Sequence, residues 1–206
     1  MSQKEKKNMT FGFTVIILFV SSLVSGLWAQ QGPNRPEAKP LTLDRKTTAV
    51  LVLDLNARCD DPKQICSKIT APVGDFLEKA RAAAAPIIYT VSATVKGKPL
   101  GELAVPLKRN VGEPVIYPDG FDKFVGGELQ AWLKEKGAKT LIVMGSSTNS
   151  AVLYTVTTAT RIHRYSVVIP MDGVNAANPT SKNIPCINSL SFPLGRTNYF
   201  SSPTSR

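Results

Sequence analysis

Residues that most often carry chemistry are scarce in this chain. Histidine occurs once among 206 residues, at His163, and cysteine three times, at Cys59, Cys66 and Cys186. One imidazole cannot build a metal cluster. The acids beside the cysteines, Asp60 and Asp61, fit no EF-hand or zinc spacing and read as solvated loop charges, so neither metal nor other cofactor is expected. His163 falls near the carboxyl end of a predicted helix, where the helix dipole or plain exposure accounts for it. Aromatic residues make up only 7%, and acids are outnumbered by Lys and Arg, 15 to 25. The resulting net charge of +10 is scattered, without aromatic interleaving or a nucleic-acid-binding module. That pattern describes a solvated surface and excludes nucleic acid as a partner.

Long apolar runs are scarce too. The conspicuous one, Phe11 to Trp28, follows Lys4, Lys6 and Lys7 and ends Leu-Trp-Ala before Gln30, so residues 1–29 read as a secretory signal cleaved after Ala29. An uncleaved anchor is the alternative, since the run is near the lower limit for spanning a bilayer, and it would be the chain's only route to a membrane. The expected location is therefore secreted or periplasmic, or else anchored at the membrane. Removing the segment takes away three lysines and one glutamate and lowers the formal +10 by two, to +8. In an exported protein Cys59 and Cys66 can close a small loop as a disulfide, leaving Cys186 odd; two free thiols beside a ligand pocket is the other reading.

What is present is an alternation of strand and helix patterns. Residues 30–46, with Pro, Gln and charge, read as a linker or extended arm. Thr47 to Leu55 is a strand whose apolar run, Ala49 to Leu53, suits burial on both faces, and Asp54 arrives at its carboxyl end, as a functional carboxylate or a turn cap. Thr70 to Ala85 is a helix burying Val73, Phe76, Leu77 and Ala80, and Pro86 ends it. A strand over Ile87 to Ser92, a polar stretch with a helical turn near Leu103, and a short strand at Val115 to Tyr117 follow. Gly127 to Lys136 is an amphipathic helix with Leu129, Trp132 and Leu133 inward. Thr140 to Met144 is a second fully apolar strand, Gly145 to Asn149 a turn, and Thr148 or Asn149 the cap of a helix reaching His163. Ser166 to Met171 is another strand. This predicts one α/β domain over residues 47–178 with a central parallel sheet covered on both faces. Residues 179–206 show neither period and read as an irregular natural tail or as the product of a frameshift that replaced a last helix and strand.

Three stretches converge on a family: the strand ending in Asp54, VIYPDGFDKFVGGEL in the middle, and LIVMGSSTNSAVLYT followed by VVIPMDG. Together, from about Thr47 to Asn175, they resemble the isochorismatase-like cysteine hydrolases. The G-x-x-T-x-x-(nucleophile)-V turn is the most specific part. The resemblance implies a Rossmann-like three-layer α/β/α fold, here without its last helix and strand if the tail is out of frame. It also implies a triad of an Asp ending the first strand, a Lys after the middle short strand and a Cys opening the helix after the turn. In such a triad the Lys and the helix N-terminus favour the thiolate, the carboxylate moves the proton, and backbone N–H groups hold the oxyanion.

Placed on this chain, the triad positions read Asp54, Tyr117 and Ala151, with Tyr where Lys is expected and Ala where the nucleophilic Cys is expected. Asn56 stands where the family has Gln. Asn56, Ser147, Thr148 and Ser150 become the ligand-binding candidates, and a homo-oligomer is implied because this fold often oligomerises. The reading is an exported hydrolase-fold protein without cysteine hydrolase activity that binds a small carbonyl or amide compound. One alternative is an enzyme working through Asp54 and Tyr117 or through a displaced nucleophile such as Cys59 or Ser150. The other is an oligomeric protein-interaction module.

Overall fold

The computed structural model describes residues 41–176 and 197–200. The signal segment, most of the arm and Cys186 lie outside the described residues. Strand β1 (Thr48–Leu53) is buried throughout, because it pairs on both sides: with β2 (Ile87–Thr90) and with β4 (Thr140–Ser146), both in parallel. Beyond β2 lies the two-residue β3 (Val115–Ile116). On the other side, β5 (Ser166–Pro170) pairs with the first half of β4, and β6 (Val174–Asn175) with its last two residues. Every pairing between these strands is parallel, as expected of strands joined by helical crossovers, and an isolated antiparallel bridge joins Asn56 to Leu103 outside them.

Among the described residues three α-helices cover the sheet: α1 (Ser67–Ala82), α2 (Glu128–Glu135) and α3 (Ala151–Arg161). The strand period decides which face each one covers. Val50 and Val52 of β1 join Val73 and Leu77 of α1 in one cluster. Ala49, Leu51 and Leu53, one residue out of phase, join Leu129 and Leu133 of α2 and Val152 and Val156 of α3 in the other. The result is the expected three-layer sandwich. Each fully buried Val or Leu contributes about 1.5–3 kcal/mol, so the two-sided burial of β1 makes it the anchor for the residues at its carboxyl end.

The chain departs from expectation at three places. The edge beyond β5 is not bare, because β7 (Thr197–Phe200), drawn from the segment read as irregular, pairs with it in parallel. Four residues among Ser, Pro and Asn are too few to show a period. Helix α1 begins at Ser67, before the expected Thr70, with Pro72 inside it. Strand β4 runs on through Gly145 and Ser146, which β6 pairs, so the turn is shorter than Gly145 to Asn149. Ser150 rather than Thr148 or Asn149 stands at the N-cap of α3, and its side chain makes no capping bond.

Candidate functional site at the carboxyl edge of the sheet

Asp54 leaves β1 in the left-handed region, φ 54°, while its backbone N–H still donates to the Thr90 carbonyl at 2.9 Å. That turn swings its side chain over the sheet edge. There Oδ2 meets the ammonium of Lys123 at 2.8 Å, the lysine side chain being 1% exposed and the aspartate 17%. The same Nζ donates to the Gly120 carbonyl at 3.2 Å. Burial pushes the Asp54 carboxyl above its ordinary value. The charge and hydrogen bond of Lys123, the charge of Arg58 and the Ser92 backbone amide pull it only partway back.

Lys123 is held by α3. Its backbone N–H donates to Thr155 Oγ1 at 3.2 Å, and the neighbouring Asp122 takes the Thr158 hydroxyl at 2.6 Å and the Phe124 N–H at 3.0 Å. The polar stretch after β3 is thereby clamped so that its lysine points inward. This corrects the placement of Tyr117. Tyr117 directly follows β3, which lies two strands from β1, and its ring sits under Lys96 Nζ at 5.3 Å beside Glu102, Lys108 and Arg109 in a separate cleft. The residue opposite Asp54 is Lys123, so the Asp54–Tyr117 pairing fails on geometry. A signal was available: Lys123 is the only lysine between β3 and α2.

A cleft of about 290 Å³ opens above the pair. Asp54, Asn56, Ser147 and Ser150, all singled out from sequence, line it together with Arg58, Phe121 and Leu100. Thr148 is buried with its hydroxyl unpartnered, and its N–H donates to the Asn175 carbonyl at 2.8 Å. Asp54 Oδ1 and Asn56 Oδ1 are likewise buried without a hydrogen-bond partner. Ser147 Oγ donates to Asn149 Oδ1 at 2.7 Å and lies 2.8 Å from Ser150 Oγ, so these two serine hydroxyls satisfy one another. Ala151 opens α3, 1% exposed, in the apolar cluster that also holds Leu53.

The displaced nucleophiles fare poorly. Cys59 and Cys66 form a disulfide with Cα atoms 5.2 Å apart, which closes the two-thiol reading and removes Cys59 as a nucleophile. Ser150 Oγ is bonded to Ser147 and, among the described residues, to no basic group, and His163 packs on Phe124 with ring centroids 4.6 Å apart. Among the described residues no three His, Cys, Asp or Glu side chains converge, and no helix is long and apolar enough to cross a membrane.

A parallel α/β sandwich with a buried carboxylate–lysine pair at its carboxyl edge, beneath a small polar cleft, is a hydrolase-type architecture. This chain belongs to the isochorismatase family: the Isochorismatase domain model matches residues 48–186. A secreted isochorismatase effector of Verticillium dahliae is 28% identical over 116 residues, 52% of this chain and 61% of that protein. The match thus spans about three fifths of that relative's length. Among solved structures, an isochorismatase family protein from Desulfovibrio vulgaris superposes with a TM-score of 0.63 at 23% identity, covering 74% of this chain and 94% of that one. A cysteine hydrolase from Pseudomonas syringae gives 0.66 at 17%, covering 81% and 94%. At these identities the structures establish the shared fold.

Proposed function

We propose that this is an exported isochorismatase-family protein that performs no cysteine chemistry and holds a small carbonyl or amide compound in the cleft above Asp54. The observation behind the reading is Ala151. The position that opens α3, where the family resemblance calls for the nucleophile, carries a methyl group, and the nearest chain sulfur in sequence to Asp54 is tied up in the Cys59–Cys66 bridge. Ser150 does not substitute, since one step along a helix turns a side chain by about 100° and no base faces its hydroxyl among the described residues.

A second reading is favoured by the state of Asp54. A carboxyl raised by burial, with one oxygen unpartnered at a cleft, is placed to pass a proton to or from a bound compound without a covalent intermediate. Here Lys123, not Tyr117, is its partner. Export is supported by the basic flank and apolar run of residues 1–29, by a disulfide suited to an oxidising compartment, and by the secreted Verticillium relative.

The test is a panel of amides, esters and ethers presented to purified protein. No turnover, with ligand-induced thermal stabilisation, supports the first reading; turnover abolished by Asp54→Ala moves the protein to the second; neither turnover nor stabilisation refutes both. Ala151→Cys should create a thiol that reacts at neutral pH faster than free cysteine, because Lys123 and a helix N-terminus lie close by. An inert thiol would show that position 151 is not the nucleophile position. N-terminal sequencing of exported material should begin at Gln30.

A further inference from the structure

We infer that the open edge of β3 is a docking site for an extended acidic peptide, which adds a short strand to the sheet and lays a carboxylate side chain in the cleft beside Tyr117. The inference is independent of the ligand-binding reading above, because the two clefts share no lining residue. The first support is backbone left without partners. The strand order puts β3 at the end of the sheet, with β2 on one side and, among the described residues, no strand on the other. Pro114 and Ile116 serve β2, their carbonyls accepting from the Tyr89 and Val91 N–H groups, each at 3.0 Å. Backbone groups alternate along a strand, so the N–H and C=O of Val115 and Tyr117 face the open edge. An added strand pairs with groups of this kind.

The second support is a cleft on the face that such a strand would supply with side chains. Ile116 packs with Leu129 and Leu133, while Val115 packs in the opposite cluster with Val73 and Leu77. Val115 and Tyr117 share that second face and line a cleft of about 240 Å³ against residues 101–105. An added strand keeps the same alternation, so every other side chain of the peptide turns toward this cleft. Its wall is fixed before any partner arrives. The Ala57 N–H donates to the Glu102 carbonyl at 2.7 Å, Asp60 Oδ1 accepts the Val105 N–H at 3.0 Å, and Arg81 Nη2 donates to the Leu107 carbonyl at 3.1 Å, so little freedom is lost on docking.

The third support is charge. Lys108 and Arg109 line the cleft, and Lys96 Nζ stands 5.3 Å from the centre of the Tyr117 ring. Against these cations are Glu102 on the same wall and Glu78, whose carboxylate meets Lys108 Nζ at 2.9 Å. Arg109 donates from Nε to the Glu113 carbonyl at 2.7 Å, while the Glu113 carboxylate is held by Arg81, so Arg109 forms no ion pair among the described residues. The excess cation is thus a planar guanidinium, the group best shaped to grip a carboxylate. A second copy of the chain fits poorly, since pairing two β3 edges would bring the same cations face to face.

Titrating the whole exported chain with the labelled heptapeptide TVTETVT and its glutamine counterpart TVTQTVT, read by fluorescence anisotropy, tests this. The glutamate peptide should bind about fivefold tighter or more, with an advantage that shrinks as salt is raised. Arg109→Gln should remove that advantage and leave the glutamine peptide's affinity unchanged. Strand pairing has its own readout: hydrogen exchange at the Val115 and Tyr117 amides should slow on saturation, and N-methylation at alternate peptide residues should abolish binding in one phase and spare it in the other. Equal affinities for the two peptides, unchanged exchange at Val115 and Tyr117, or no binding at millimolar peptide each overturn the inference. So does exchange at those amides that slows with protein concentration alone, which would make a second copy the occupant.

Discussion

Neutralising the buried pair, by Asp54→Asn together with Lys123→Met, should raise stability at neutral pH. The ammonium is 1% exposed and the carboxylate 17%, 2.8 Å apart, so both ions have been taken largely out of water for one contact and one bond to Gly120. Replacing such a pair with neutral groups of similar shape is typically neutral or stabilising by about 1–4 kcal/mol. The raised Asp54 carboxyl points the same way, since burial outweighs what Lys123 returns. A raised carboxyl contributes stability that is fully present below its unfolded value and is lost as pH rises through its folded value. The double variant lacks that loss, so its advantage over the natural protein should be largest at pH 7 and shrink toward pH 4. Asp54→Asn alone keeps the ammonium without a counter-ion and should fall about 3–5 kcal/mol below the natural protein. Urea unfolding gives the answer as shifts in midpoint at constant slope. A double variant less stable than the natural protein at pH 7 by more than about 1 kcal/mol would refute the reasoning, because the pair would then be a net contributor to folding.

Elsewhere the expected effects are structural. Glu113 accepts from Arg81 Nε at 2.7 Å, from Tyr89 at 2.9 Å and from the Asn110 N–H at 3.1 Å; burial raises its carboxyl, but these bonds outweigh it and hold it below its ordinary value. Its contribution is present above the unfolded value and lost as pH falls through the folded one. Glu113→Gln should therefore cost about 1.5–3 kcal/mol at pH 7, and the difference should close as pH falls through the lowered folded value, read by urea titration. Replacing Cys59 and Cys66 by Ser opens a short loop and should cost about 2–3 kcal/mol on the chain-entropy model, read as a lower midpoint that reducing agent does not change further. Gly145 has φ +137°, and a Cβ there would collide with the Leu53 carbonyl oxygen of the neighbouring strand. Gly145→Ala should cost about 3 kcal/mol or more, and a normal thermal melt would show that the β1–β4 contact is looser than described.

The layers of this fold were legible because they rest on burial. Ala49 to Leu53 and Leu141 to Met144 read as central strands and Val73, Leu77 and Ala80 as a sheet-facing stripe, and all are buried as expected, whereas Thr140, Phe76 and Trp132 are only half-buried. Boundaries were less legible where local and distant signals conflict. The first helix was expected from Thr70, yet α1 starts at Ser67 and takes Pro72 inside it, and β4 outlasts its apolar run because β6 supplies partners that the sequence does not announce. Cys59 and Cys66 were named as a pair, but spacing alone could not choose between bridge and thiols. Asp54 was found because it ends a strand, where position is set by the sheet. Lys123 was not, because it sits in a stretch without period whose path is set by Thr155 and Thr158 of a helix that comes later in the chain.

That one misplacement changes what the site means. With Tyr117 in the lysine's place, two members of the constellation would be gone and the third would have no purpose. With Lys123 opposite Asp54, position 151 alone of the three triad positions departs from the pattern, and a paired carboxylate and ammonium remain below an open cleft. A site merely decaying has no reason to retain two buried ions that burden the fold, because either one alone is the worse arrangement but a neutral pair is the better one. Neutral residues of the right shape are open to the chain at both positions, and the alanine at 151 shows that the corner accepts apolar substitution. On the proposed ligand-binding reading the ion pair serves the cleft: Asp54 Oδ1, buried without a partner, would meet a bound donor, while Lys123 opposes the rise that burial imposes on that carboxyl.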